Sequence, residues 1–180
     1  MAEGVENLTT PVIDVSDILR AQLVFAVSAL DQFVHELIRL GMIEIAKGNR
    51  PKTRRYNRFP MAIVTIESVL QGLPAETLIS DAVRMRHSWL SFQDPSRIAE
   101  AVKLISSTVL WDAVGRELGM TGESVQTRLK LITDRRNKIA HEADVDPANP
   151  GFRWPITKTL ATESVEFIER VAIAIGKTLI

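Results

Sequence analysis

A chain of 180 residues, 46% of them apolar, is long enough for one sizeable core and falls within the usual range of a single domain. The absence of cysteine excludes disulfides, iron–sulfur clusters and thiolate zinc sites. A formal net charge of zero argues against a protein that coats nucleic acid by neutralising phosphates. The start, Met1-Ala2-Glu3-Gly4-Val5-Glu6, has neither the basic residues nor the apolar run of a signal peptide, and no segment is apolar for the length of a bilayer span; a soluble, cytoplasmic protein with no membrane partner is expected.

Residues 1–15 have no hydrophobic period and carry Thr9-Thr10-Pro11, which predicts a flexible arm ahead of a single helical domain over 16–180. Ser16 is the expected cap of a long helix with a stripe of Leu19, Leu23, Ala26, Leu30, Phe33, Leu37 and Leu40, flanked by Val24, Val27, Val34 and Ile38 and stopped by Gly48. So wide an apolar face implies neighbours on more than one side. Ser28, Asp31, His35 and Arg39 form a polar line along the same helix.

Residues 49–58 hold five cations, Arg50, Lys52, Arg54, Arg55 and Arg58, with Tyr56 among them and no acid. A solvated loop and a groove for RNA phosphates both remain open, and Tyr56 leaves base stacking open. Short helices are predicted over 61–70, ended by Gly72, and from Pro74-Ala75-Glu76 to about Phe92. Asp94-Pro95-Ser96 resets the chain for a helix with the stripe Ile98, Val102 and Ile105, which stops near Ser106-Ser107. Another runs over 110–118 and ends at Gly119. Thr121 with Ser124 caps a long helix to about Glu142, 146–151 cannot be helical, and 162–179 forms a final amphipathic helix.

The expected fold is therefore an all-α bundle of about five to seven helices, with two long helices over about 16–47 and 121–142 and a C-terminal helix. His87 reads as a surface histidine, and Trp89, Trp111 and Trp154 as core or interface anchors. Three scattered histidines show no paired ligand spacing, so neither a metal nor another cofactor is expected.

The chemistry concentrates in Asp134-Arg135-Arg136-Asn137-Lys138-Ile139-Ala140-His141-Glu142. An imidazole titrates near neutrality and moves protons, a guanidinium clamps phosphate through a rigid fork of donors, and a carboxamide orients a phosphate or a ribose hydroxyl. These are the groups needed to cut RNA without a metal. The apolar stripe of this helix reads Val125, Leu129, Ile132, Arg136, Ile139, Ala143, so Arg136 stands where a core residue belongs. Burying it unpaired costs several kcal/mol, and it needs either an internal carboxylate, for which the first helix is a source, or a polar cleft. Asn137 and His141 share a face, whereas Arg136 and His141 point about 140° apart. They converge either by unwinding of the helix near His141 or by pairing of two copies across a dimer.

At these residues the chain resembles the HEPN superfamily, whose signature is an arginine, usually followed by a polar residue such as Asn, shortly before a histidine. Arg136-Asn137 and His141 match it with four residues between. Leu30-Asp31-Gln32-Phe33-Val34-His35-Glu36, residues 135–144, and Asp146-Pro147 leading to Arg153-Trp154-Pro155-Ile156-Thr157 resemble the RiboL-PSP-HEPN family, over most of the chain from Ser16 onward.

The resemblance implies a helical bundle that forms a homodimer, with the motifs lining a cleft that acts as a metal-independent endoribonuclease in phage defence or as a toxin. It assigns proton transfer to His141, the hold on the scissile phosphate to Arg136 and its orientation to Asn137, with Asp31 and His35 in support. A 2′,3′-cyclic phosphate is the expected product. Two rivals stand beside this reading: a non-catalytic dimerisation or interaction module, and a toxin held silent by a separate antitoxin or regulatory protein.

Overall fold

Helix α1 (Ser16–Ala46) is the spine around which the other elements gather in the computed structural model, which describes residues 15–179. A short 3₁₀ turn (Tyr56–Arg58) follows, then α2 (Ile63–Leu70), α3 (Ala75–His87), α4 (Pro95–Val102), α5 (Leu110–Leu118), α6 (Gly122–Glu142) and α7 (Lys158–Leu179). The described residues are thus all-helical, with a lone bridge between Val145 and Arg153 and no strand. Among them no helix is long and apolar enough to cross a membrane. Of the expected N-terminal arm, residues 1–14 lie outside the described residues.

α1 packs on α7, α3 and α6, and α5 is lodged between α6 and α7. Being covered on several sides, α1 buries Leu19, Leu23, Leu30 and Leu37 of the expected stripe together with its flanking Val27, Val34 and Ile38, while Ala26 and Phe33 are half-buried and Leu40 is exposed. From Leu23 to Ile38 the buried ones meet Leu129 of α6 and Phe167, Val171 and Ile175 of α7 in one core. Removing a fully buried Phe or Ile side chain from such a core costs about 3–5 kcal/mol.

The start of the motif helix is fixed by a tight corner. Gly119 ends α5 with φ +67°, and a Cβ on Gly115 would come within 2.7 Å of the Met120 carbonyl, so the backbones meet at van der Waals distance. Thr121 Oγ1 then accepts from the Ser124 N–H at 3.1 Å, the expected cap.

Several boundaries move for tertiary reasons. Val15, not Ser16, holds the cap position of α1, and the Ser16 hydroxyl accepts from Arg20 Nη1 instead. α3 stops at His87 rather than near Phe92, and beyond it the Phe92 N–H is held by the Asp31 carboxylate on α1. α4 ends at Val102, before Ser106, although Ile105 is still buried. α7 begins at Lys158 rather than 162, with the Thr157 hydroxyl accepting from the Leu160 N–H.

Candidate functional site

α6 carries Arg136, Asn137 and His141 on one unbroken helix to Glu142; only Ala143 and Asp144, at φ 51° and 61°, turn left-handed. The unwinding that would bring His141 round to Arg136 is therefore absent, and the two side chains leave the axis about 140° apart. The stripe that begins with buried Val125, Leu129 and Ile132 fades at the motif: Arg136 and Ile139 are half-buried, Ala143 exposed.

Arg136 meets an amide rather than the expected carboxylate. Its Nη1 donates to Gln93 Oε1 at 2.8 Å and to Asn137 Oδ1 at 3.0 Å. Gln93 Nε2 in turn donates to Asp31 Oδ2 at 3.0 Å, and Asp31 Oδ1 accepts from the Phe92 N–H at 2.5 Å. The orientation of the Gln93 amide is thereby settled, since a guanidinium only donates and a carboxylate only accepts. Thr133 Oγ1, 3.2 Å from the Gln93 carbonyl, ties the same residue to α6. Arg136 Nε is buried without a protein partner, and Nη2 makes no hydrogen bond among the described residues. The Asn137 amide, with its oxygen engaged, still has an N–H₂ to donate.

Asp31 thus reaches Arg136 through one intermediary, and His35 stands next in line with Nε2 3.6 Å from Asp31 Oδ1. Its ring lies against Phe92 at 4.5 Å. Of the remaining polar line, Ser28 Oγ donates to the Val24 carbonyl, and Arg39 pairs with Glu36 and donates to Ser80. His141 is exposed and makes no hydrogen bond or ion pair among the described residues. Asn137 lines a cavity of about 510 Å³ with Leu131, Asp134, Arg135, Lys138 and Glu142, and neither Arg136 nor His141 lines it. Among the described residues no three His, Asp or Glu side chains gather as a metal would need.

His87 is not a surface residue. It is 5% exposed, enclosed by Phe92, Phe59 and His35, and its Nδ1 has no partner. α3 turns it inward because Val83, one turn earlier, lies on the same buried face. Burial pushes its imidazole down to about 4, and the nearby His35 and then Arg86 add to the shift. The folded value lies below the ordinary 6.5, so the unfolded chain takes up a proton first as pH falls. Stability from this group is complete above pH 6.5 and declines toward pH 4. Urea unfolding of a His87→Leu protein is expected to show roughly 2–3 kcal/mol less acid destabilisation than the parent between neutrality and about pH 4.5. Parallel pH profiles would contradict the assignment.

Trp111 is buried as expected, its Nε1 donating to the Pro95 carbonyl at 3.0 Å, and Trp154 is half-buried under Lys138. Trp89 is 74% exposed in the protomer, so of its two expected placements the core is excluded. Of the basic loop, Arg54, Arg55 and Arg58 line a cavity of about 700 Å³ beside Trp89, while Arg50 and Lys52 do not. Arg55 also pairs with Glu100 at 2.9 Å.

Two positioning groups were not foreseen. Gln93 gives no sequence signal, being one polar residue between Phe92 and Asp94. Asp144 is fully buried and its Oδ2 accepts from Arg20 Nε at 2.9 Å and Arg135 Nη2 at 2.8 Å, a clamp that joins the start of α1 to the end of α6. Arg20 was detectable: it sits at helical spacing ahead of Leu23, Val27 and Leu30, as Arg136 does after Leu129 and Ile132.

Compared with protein-family models, with curated proteins and with solved structures, the chain finds no match.

Proposed function

We propose that this protein is a metal-independent endoribonuclease of the HEPN type, acting as a homodimer in which each site takes Arg136 from one copy and His141 from the other. The observation that carries the reading is the contrast between the two side chains: Arg136 is held by Gln93 and Asn137 with Nη2 uncommitted, while His141 stands exposed and unengaged on another face of the same helix. A structural arginine would have its donors satisfied inside the fold. A second copy of α6 would bring His141 to the Arg136 of its partner, which the helix within one protomer keeps on another face.

In the reaction, the ribose 2′-oxygen attacks phosphorus, the bond to the 5′-oxygen breaks, and a 2′,3′-cyclic phosphate and a 5′-hydroxyl remain. One proton leaves the 2′-hydroxyl and one reaches the 5′-oxygen; His141 serves one transfer and water the other. Arg136 Nη2 and the Asn137 amide donate to the phosphoryl oxygens as negative charge builds on them. Phage defence, or a toxin restrained by a partner protein, is the setting we infer for such a nuclease.

Purified protein incubated with total RNA and with tRNA, with and without EDTA, is the test, followed by mapping of the product termini. Cutting that survives EDTA and leaves cyclic phosphates is expected; a divalent-metal requirement overturns the reading. Gln93 acts as a positioning residue, so Gln93→Leu is expected to lower kcat about 10- to 100-fold with KM little changed, beside a stability loss of about 1–2 kcal/mol from the hydrogen bonds to Arg136 and Asp31 that it removes. A change in KM alone would show that Gln93 does not aim Arg136.

A second reading, an interaction module, draws on α2. None of its residues is buried, and Ile63, Val64, Ile66 and Leu70 are exposed together. EDTA-resistant cutting by the parent and not by His141→Ala separates the two.

A further inference from the structure

Among the described residues His141 has no side-chain partner, so its place is set by the backbone of α6 alone. That helix ends one residue later, at Glu142, in a turn built against local preference. Ala143 and Asp144 both take left-handed φ, 51° and 61°, where the Cβ of an L residue crowds the carbonyl oxygen. Every other positive φ among the described residues belongs to a glycine. The Asp144 N–H donates to the Lys138 carbonyl at 3.0 Å, and the Asp144 carbonyl accepts from the Trp154 N–H at 2.9 Å. A conformation of this kind persists only where its surroundings over-determine it.

The Asp144 carboxylate supplies that constraint. Its Oδ2 accepts from Arg20 Nε of α1 and from Nη2 of Arg135, nine residues back in α6 and next to Arg136. Nη2 of each arginine also donates to the Trp154 carbonyl, and Arg20 Nη1 donates to the Ser16 hydroxyl. One side chain thus ties the body of α6 beside Arg136, the turn after His141 and the start of α1 to one another. Stability alone does not account for this choice of residues. Two guanidiniums share one buried carboxylate oxygen, while Asp144 Oδ1 and Arg135 Nε are buried without a protein partner. Apolar residues of similar volume are often as stable in such a place or more so. What the charged groups add is a fixed direction.

We propose that Asp144, held by Arg20 and Arg135, is the positioning residue of His141: it fixes the last turn of α6 and with it the direction from which the imidazole meets the Arg136 of the other copy. The inference rests on the nuclease reading given above. Asp144 itself touches no RNA and moves no proton. A His141 that has shifted slows proton transfer, while the grip of Arg136 and Asn137 on the phosphate is unaltered. Misplacing a reacting group by about 1 Å costs about 10²-fold in rate. The effect therefore falls on kcat and spares KM.

Two measurements on the full chain, made well below the unfolding midpoint of each protein, test the proposal. The first is RNA cutting in EDTA. Asp144→Asn keeps an acceptor oxygen and tolerates the left-handed turn, so its kcat is expected to fall about tenfold with KM within about twofold; Asp144→Ala should lose about 100-fold in kcat. The second is backbone ¹⁵N relaxation of the Asp144→Asn protein, which needs no RNA. Order parameters over residues 139–143 are expected to drop from about 0.85 to below about 0.6, while those over 125–135 stay at the parental level. A role in global stability alone moves neither the kcat of folded protein nor the order parameters of one turn. Folded Asp144→Asn protein with parental kcat, or with parental order parameters in the last turn of α6, overturns the proposal. A parent that cuts no RNA removes the nuclease reading and the catalytic half of the inference; unchanged order parameters remove the positioning half.

Discussion

His141→Ala protein is expected to unfold at the parental midpoint and to cut RNA about a thousandfold more slowly. The first half follows from burial: His141 is exposed and holds no partner whose loss would be felt in the fold. The second follows from its role, since removal of a positioned acid–base group from phosphoryl transfer typically costs about 10²–10⁴-fold. Arg136→Ala should lower activity about 10²–10³-fold through loss of charge stabilisation. It also leaves the Gln93 oxygen without its donor, so a stability loss of about 1–2 kcal/mol accompanies it. Single-turnover cleavage beside urea unfolding reads both quantities. Cutting at the parental rate by a folded His141→Ala protein would remove His141 from the mechanism.

Asp144→Ala is expected to cost as much stability as emptying a position in the apolar core. The carboxylate is fully buried, and both guanidiniums on it lose their closest counter-charge, Arg20 at 6% exposure keeping only a longer pair with the exposed Asp17 at 3.6 Å. The Trp154 carbonyl still accepts from each at 2.9 and 3.2 Å but carries no net charge. Breaking a buried pair from one side costs about 3–5 kcal/mol, which corresponds to a fall in Tm of about 10 °C or more in a chain of this length. Asp144 also holds φ 61°, a conformation Asn shares more readily than Ala, so Asp144→Asn should lose about half as much. Adding Arg20→Met to Asp144→Ala should recover part of the loss, because an unpaired buried charge is removed with it. Thermal unfolding of the parent, Asp144→Ala, Arg20→Met and the double variant decides the matter; strictly additive effects would show that the pair is not coupled.

The elements were legible where local chemistry governs them. Gly48 and Gly119 end helices as read, Thr121 caps α6, Pro95 starts α4, and the all-helical class follows from the period of the apolar residues. Boundaries set by tertiary partners were not legible. α3 ends at His87 in a turn that no glycine or proline announces, and beyond it the Phe92 N–H is held by the Asp31 carboxylate of another helix.

The same division holds at the site. The misfit of Arg136 in an apolar stripe was visible along the chain, and a polar partner traceable to the first helix was foreseen. That the partner is Gln93, relaying Asp31, depends on where a loop crosses α6. His87 reads as surface along the chain and is buried, whereas Trp89, read as a core or interface anchor, is exposed in the protomer. Only the turn that ends α3 between them, with the Leu90 N–H donating to the His87 carbonyl at 2.9 Å, sends the tryptophan outward.

The central claim is that Arg136 and His141 of different copies make one site. Arg136→Ala and His141→Ala subunits, each inactive alone, can be co-expressed with different tags and purified as mixed dimers, and RNA cutting measured in EDTA. In a two-fold dimer the mixed species keeps one complete site and one doubly defective site, so the purified mixed dimers should recover about half of parental activity. Mixed dimers as inactive as either parent variant, beside an active unsubstituted protein, would contradict the account.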